Sequence, residues 1–472
     1  MVQRSVVAVL ALAATAVAQV PQLIPYGRQV DLLVVDSSYD GVWRLSDQNQ
    51  DGDYNDPGER ISYYSDLIGS ITLTNPTCIV CAPDGTAYVG DSTVDIVLAL
   101  RDLNGDGDAN DPGEHTAFYH STTNANATVM ASVQGITVDA IGRLFCAVSN
   151  AGTSGTDLVL QLQDGNGDGD ADDLGESFDY CTIPGGAGAV GNSIPTKVVV
   201  GPDLNLYYTE VSTGTLARGA YRLADNNTDG DCNDPGEVTL HWSPVASTPF
   251  YWSLAVDPAG WLYMTDHNTI HNVWRGRDLD SSGTIDAAEM NVFWQGSAGT
   301  WFDAVWRDDG TLLVFDSSGD TIRALRDLNA DGDATDPGEA TLALDPALAP
   351  GVAPRAGAFL RAASLNLVPP SVQVGNATNL TTQTTRPGDL VVTVIAYGLG
   401  VNFPLAPWGT VELDITAFAT AAVGFADPAG QFAAAFPIPN NPALVGSFAF
   451  QSLAGDAFRL FLSNASVLAV TP

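Results

Sequence analysis

Six stretches of the chain carry the residue types that hold a hard cation. Their first residues are Asp47, Asp102, Asp164, Asp225, Asp278 and Asp327. Position three is Asn49, Asn104, Asn166, Asn227, Asp280 or Asn329. Position five is Asp51, Asp106, Asp168, Asp229, Ser282 or Asp331. Position six is always Gly, and each stretch closes on Glu59, Glu114, Glu176, Glu237, Glu289 or Glu339. Calcium gathers about six to eight oxygens at one point, so it needs alternating oxygen side chains, a Gly at the sharp turn and a closing Glu able to bind through both oxygens. About six bound calcium ions are expected. The last ligand is open. The ninth position (Asn55, Asn110, Asp172, Asn233, Asp286, Thr335) and a later Asp (Asp56, Asp111, Asp173, Asp234, Asp336) both bear oxygen. Merely solvated turns would leave a cost: more than half of the 55 acids fall in these stretches, where they repel one another without cations.

The wider composition narrows the partners. In 472 residues, 55 acids face 18 bases, the net charge is −37, and Lys197 is the only lysine. Such a surface repels nucleic acid and anionic lipid, so neither is an expected partner. Residues 1–18 read as a secretory signal: Arg4, an apolar run from Ser5 to Val17, and a small-x-small end at Ala16-Val17-Ala18. The expectation is an exported protein, secreted or at the cell surface, monomeric and without a membrane span. Five cysteines leave at least one unpaired. Cys78 and Cys81 form a CxxC, but period 2 in an apolar strand sends them to opposite faces, and they read as small buried hydrophobes.

The stretches recur every 49 to 62 residues, and strand signals recur with them, a spacing that suits propeller blades. One unit shows the order. Pro76 to Ala82 is strand A, Thr86 to Gly90 strand B, Asp95 to Arg101 strand C and His115 to His120 strand D, with the acidic loop joining C to D. The first unit lacks strand A, and the late strand Arg355 to Ala362 is expected to close the ring, which removes an open edge. The predicted domains are a six-bladed β-propeller over 19–363 and a β-sandwich over 364–472, an all-β chain. Alternating runs from Asp389, Thr410, Gln431, Gly446 and Phe458 carry the second prediction.

Val138-Asp-Ala-Ile-Gly-Arg-Leu-Phe145, Val256-Asp-Pro-Ala-Gly-Trp-Leu-Tyr263 and Ala82-Pro-Asp-Gly-Thr-Ala-Tyr-Val-Gly-Asp-Ser92 resemble the strand-turn-strand phrase of the NHL and gluconolactonase-like six-bladed propellers. The loops resemble EF-hand loops over their first six positions; Asp278–Glu289 has that twelve-residue length, and the other five have thirteen. They also resemble the hairpin calcium loops of integrin α-propellers, in which the ninth position ligates. Ala429-Gly-Gln-Phe, Pro437-Ile-Pro and Leu462-Ser-Asn-Ala465 are similar to a C-terminal module of secreted bacterial proteins.

In propellers of this kind the ends of strands B and the starts of strands A share the face opposite the acidic loops. That face is expected to collect Asp36, Asp91, Glu210, Asp266 and Asp316, together with Trp252 and Trp301. Two readings follow. The first is a calcium-stabilised module that binds an extracellular protein or glycan. The alternative is a lactonase- or esterase-like hydrolase whose divalent metal is held by those carboxylates. Convergence of three or more of them on the axis favours the hydrolase; carboxylates that cap their own Asp-Ser turns favour the binder.

Overall fold

The computed structural model describes residues 31–471 apart from position 50 and short internal stretches, the longest being 150–156, 184–192, 244–249 and 385–389. The expected signal at 1–18 lies outside the described residues.

Among the described residues, six four-stranded antiparallel sheets make a β-propeller. The second blade runs Pro76–Cys81, Ala87–Asp91, Ile96–Leu100 and His115–His120 from the axis outward. The innermost strands are Pro354–Leu360, Pro76–Cys81, Val133–Val138, Pro195–Val200, Tyr251–Val256 and Trp301–Arg307. Each touches the next, and the last touches the first. Closure comes from the late strand: Leu32 to Val35 pair antiparallel with Phe359 to Ala356, so the first blade takes its inner strand from the far end of the repeat region.

Burial explains the sequence pattern. Strands in the second row, such as Leu144–Val148 and Leu262–Asp266, are buried along their whole length. They lie between two neighbouring blades, and Leu144-Phe-Cys-Ala-Val148 accordingly reads as a continuous apolar run. Six buried clusters fill the six interblade spaces, including Cys146, Leu160 and Met130 between blades two and three and Leu32, Phe315 and Ala349 between six and one. Gly135 allows the closest approach: a Cβ there would meet the Lys197 Cα at 2.7 Å.

Beyond the propeller, one sheet orders Ala363–Val368, Ala377–Thr384 and Gln431–Pro437. A second orders Ser371–Gln373, Leu460–Thr471, Gly446–Gly455, Leu390–Ala396 and Phe418–Phe425. The buried Thr382 and Ser452 hydroxyls, 2.8 Å apart, join the two sheets. The Thr-rich strand Ala377–Thr384 and the Ala/Gly-rich strand Phe418–Phe425 carry no apolar alternation to mark them in the sequence.

Candidate metal loops and axial site

All six acidic loops share one internal scaffold. The position-six Gly N–H donates to the first Asp at 2.8 to 3.0 Å in every copy. These Gly sit at positive φ, for example 107° at Gly107 and 101° at Gly332, where a Cβ is disfavoured. The closing Glu is buried in all six. One of its oxygens accepts the position-two N–H at 2.6 to 2.9 Å. The other accepts the N–H of Asp56, Asp111, Asp173, Asp234, Asp286 or Asp336 at 3.0 to 3.4 Å. Each Glu thus ties the two ends of its loop together.

In the thirteen-residue loops position ten lies beside positions three and five. Asn104 Nδ2 donates to Asp106 at 3.0 Å and to Asp111 at 2.7 Å, so positions three, five and ten converge. The same triple recurs at Asn166, Asn227 and Asn329, and Asn49 contacts Asp51 and Asp56. Oxygens of Asp106, Asp108 and Glu114, and of Asp278, Asp280 and Glu289, lie within 4.8 Å of one another. These carboxylates are an all-oxygen, anionic donor set, which fits calcium, while the position-three amide stands with its nitrogen toward them. In the twelve-residue loop Ser282 turns its hydroxyl to the Thr284 carbonyl at 2.9 Å. Backbone N–H groups, first that of Asp286 and then that of Leu279, hold the Glu289 carboxyl below its usual pKa range.

The ninth position points elsewhere. Asn110 Oδ1 accepts the Ser65 N–H at 3.0 Å, Asn233 that of Thr182 at 2.7 Å and Asn55 that of Asp345 at 2.8 Å. Asp172 accepts the His120 N–H at 2.8 Å and meets its ring nitrogen at 2.9 Å. Each of these partners is on, or just beyond, the outer strand of the preceding blade. The eighth residue adds a backbone bond in all six loops: Tyr54, Ala109, Ala171, Cys232, Ile285 and Ala334 donate to Ala343, Tyr63, Phe118, Tyr180, His241 and Phe293 at 2.7 or 2.8 Å. Every one of those carbonyls belongs to the extra residue of a β-bulge in the outer strand. The bulge frees the carbonyl from its own sheet for the next blade's loop. The loops therefore staple the ring together, a role that local spacing did not reveal.

On the opposite face the five strand-B acids are buried and turned to backbone. Asp91 accepts four N–H groups, from Thr74, Asn75, Thr93 and Val94, at 2.6 to 3.0 Å. Asp36 accepts from Ser38, Tyr39, Ala353 and the Trp43 indole. Asp316 accepts from Thr300 and Ser318, Asp266 from Phe250, and Glu210 from Ile194 and the Ser193 hydroxyl. Asp36, Asp91 and Asp316 tie the B–C turn to the entrance of strand A in their own blade, and Asp266 and Glu210 bond that entrance. Trp301 is fully buried, edge-on to Trp294, and presents no face to a ligand.

The axis itself is lined by Thr77, Gln134, Lys197, Trp252, Asp303 and Arg355, one from each innermost strand, around a cavity of about 10 Å³, the space of one water. Lys197 Nζ meets Asp303 at 2.7 Å, and Asp303 also accepts the Ser253 hydroxyl at 2.8 Å. Nearby, Trp252 stacks on His267 at 4.7 Å, with Phe302 edge-on to both. Arg355 lies 4.8 Å over Phe302, and one of its nitrogens donates to Asn75 at 2.9 Å. Burial lowers the pKa of both His267 and Arg355. His267 Nε2 and His271 Nδ1 are buried without a hydrogen-bond partner among the described residues.

No protein-family model and no curated protein matches this sequence. Among solved structures, it is similar to a virginiamycin B lyase from Staphylococcus aureus at 14% identity and TM-score 0.37, covering 83% of this chain and 94% of that one. A putative 6-phosphogluconolactonase from Bacteroides uniformis matches at 13% identity and TM-score 0.42, covering 70% and 99%. The allergen Mala s 1 of Malassezia sympodialis matches at 11% and 0.37, covering 68% and 89%. At these values the likeness carries nothing about chemistry, and the propeller rests on its own six sheets.

Proposed function

We propose that the chain is an exported β-propeller, braced by about six structural calcium ions, that binds an extracellular protein or glycan at its axial face. The supporting observation is the repeated convergence of positions three, five and ten, as in Asn104, Asp106 and Asp111, on a loop that also staples two blades. Positions one, three, five and ten, with the closing Glu, would hold the ion. Calcium would neutralise the carboxylates that otherwise repel and so fix the loop that carries the staple. Trp252 is a partly exposed aromatic of the kind that stacks on sugars; His267 covers one of its faces and Arg355 covers one face of Phe302, so a sugar would take the other face of Trp252.

The test has two arms. Metal analysis of purified protein gives about six calcium ions per chain, and excess chelator lowers the melting temperature; a melting curve unmoved by chelator sinks the calcium reading. A glycan array with wild type and Trp252→Ala gives binding that the variant loses; equal signal from both removes Trp252 from the site. The hydrolase reading stands second. It needs several strand-B carboxylates on a common metal, and each of the five bonds backbone N–H groups of its own blade instead.

A further inference from the structure

We propose that Cys181 and Cys232 are a disulfide pair that covalently staples the third blade to the fourth. Cys232 is the eighth residue of its loop, and its N–H donates to the Tyr180 carbonyl at 2.7 Å. At the next junction the equivalent bond, Ile285 N–H to His241, accompanies direct parallel pairing of Ile285 with Trp242. Here the Thr182 N–H goes to Asn233 Oδ1 and both cysteines stand as free thiols, but the Cys232 N–H bond to Tyr180 still sets Cys181 beside Cys232 by the same position in the repeat. Adjacent strands lie about 4.8 Å apart, inside the Cα separation of about 4.4–6.8 Å that a disulfide spans. Both residues are 0% exposed and belong to one buried cluster.

The other five junctions fill this place differently. By position in the repeat, the residue after the bulge and the eighth loop residue are Tyr64 and Ala109, Tyr119 and Ala171, Trp242 and Ile285, Trp294 and Ala334, and Leu344 and Tyr54, each set including an aromatic ring. Only the third junction has two small side chains, and both are thiols. A covalent bond there replaces the contact area that a ring supplies elsewhere.

The oxidant is a small-molecule or protein disulfide. One thiolate attacks it, forming a mixed disulfide and releasing the first thiol of the oxidant. The second thiolate then attacks the protein sulfur, forms the Cys181–Cys232 bond and releases the second oxidant thiol. Two protons and two electrons leave the pair, and the oxidant is reduced to two thiols. Both thiols are fully buried once blades three and four have packed. Exchange therefore belongs to folding, before the loop closes over the pair.

The experiment uses the full chain exported into an oxidising compartment and never exposed to reductant. It is alkylated in denaturant and cut with trypsin and a Glu-specific protease, which separate Cys181 from Cys146 at Glu176 and from Cys232 at Lys197, Arg218 and Arg222. The expected result is a Cys181–Cys232 linked peptide. Reductant then lowers the melting temperature of the wild type by several degrees and leaves that of C181A/C232A unmoved. Alkylated Cys181 and Cys232, or either one joined to Cys78, Cys81 or Cys146, overturns the proposal, and this readout needs no variant to fold.

Discussion

The Ala109 N–H donates to the carbonyl of Tyr63 at 2.8 Å, and Tyr63 is the bulged residue of the first blade's outer strand. One residue on, Asn110 accepts the Ser65 N–H at 3.0 Å. Neighbouring positions of one loop thus serve the next blade, while Asp111 turns back to Asn104. The division predicts two separable phenotypes. Asp111→Ala lowers calcium stoichiometry by about one ion. Asn110→Ala keeps the stoichiometry and costs about 1 kcal/mol for the lost hydrogen bond. Metal analysis beside chemical denaturation checks both.

Lys197 and Asp303 make an ion pair at the axis, with side chains 10% and 2% exposed. Removing one partner strands the other charge in a poorly solvated channel. Lys197→Met or Asp303→Leu alone is expected to cost about 3–5 kcal/mol, and the double variant much less. A double-mutant cycle by denaturant unfolding measures the coupling.

His267 gives the pH dependence. Burial is the largest influence on it and lowers its pKa, so the folded state favours the neutral ring. The unfolded chain then binds the proton more readily. Stability falls as pH drops below the ordinary value of about 6.5 toward the lowered folded value. Melting curves between neutral and mildly acid pH follow the slope, and His267→Gln flattens it.

Asp91 separates capping from metal binding. It is fully buried and accepts four backbone N–H groups. Asp91→Ala leaves those donors without their acceptor and is expected to cost more than about 2 kcal/mol, while the metal count per chain stays unchanged. A variant that loses a tightly bound metal instead would restore the hydrolase reading.

Much of the propeller was legible because its code is local. The strand His115–His120 follows directly on the acidic loop and has the bounds read from the sequence, and Pro76–Cys81 ends one residue short of the expected Ala82. The loops were legible because bonds such as Gly107 N–H to Asp102 span only five residues. Asp36, Asp91 and Asp316 also kept their places at the ends of strands B.

Ring closure decided the rest. Asn55 meets Asp345 across 290 residues of sequence, and Lys197 meets Asp303 across 106. No local spacing encodes such pairs; they follow from how many blades complete the circle. The sequence by itself determined the strand order, the acidic loops and their oxygen-rich positions. Only the tertiary structure decided that the ninth residue of four loops braces a neighbouring blade while the tenth faces its own loop, and that Trp301 is core while Trp252 lines the axis. The physical reason is that burial and hydrogen bonding between blades exist only once each outer strand has its neighbour beside it.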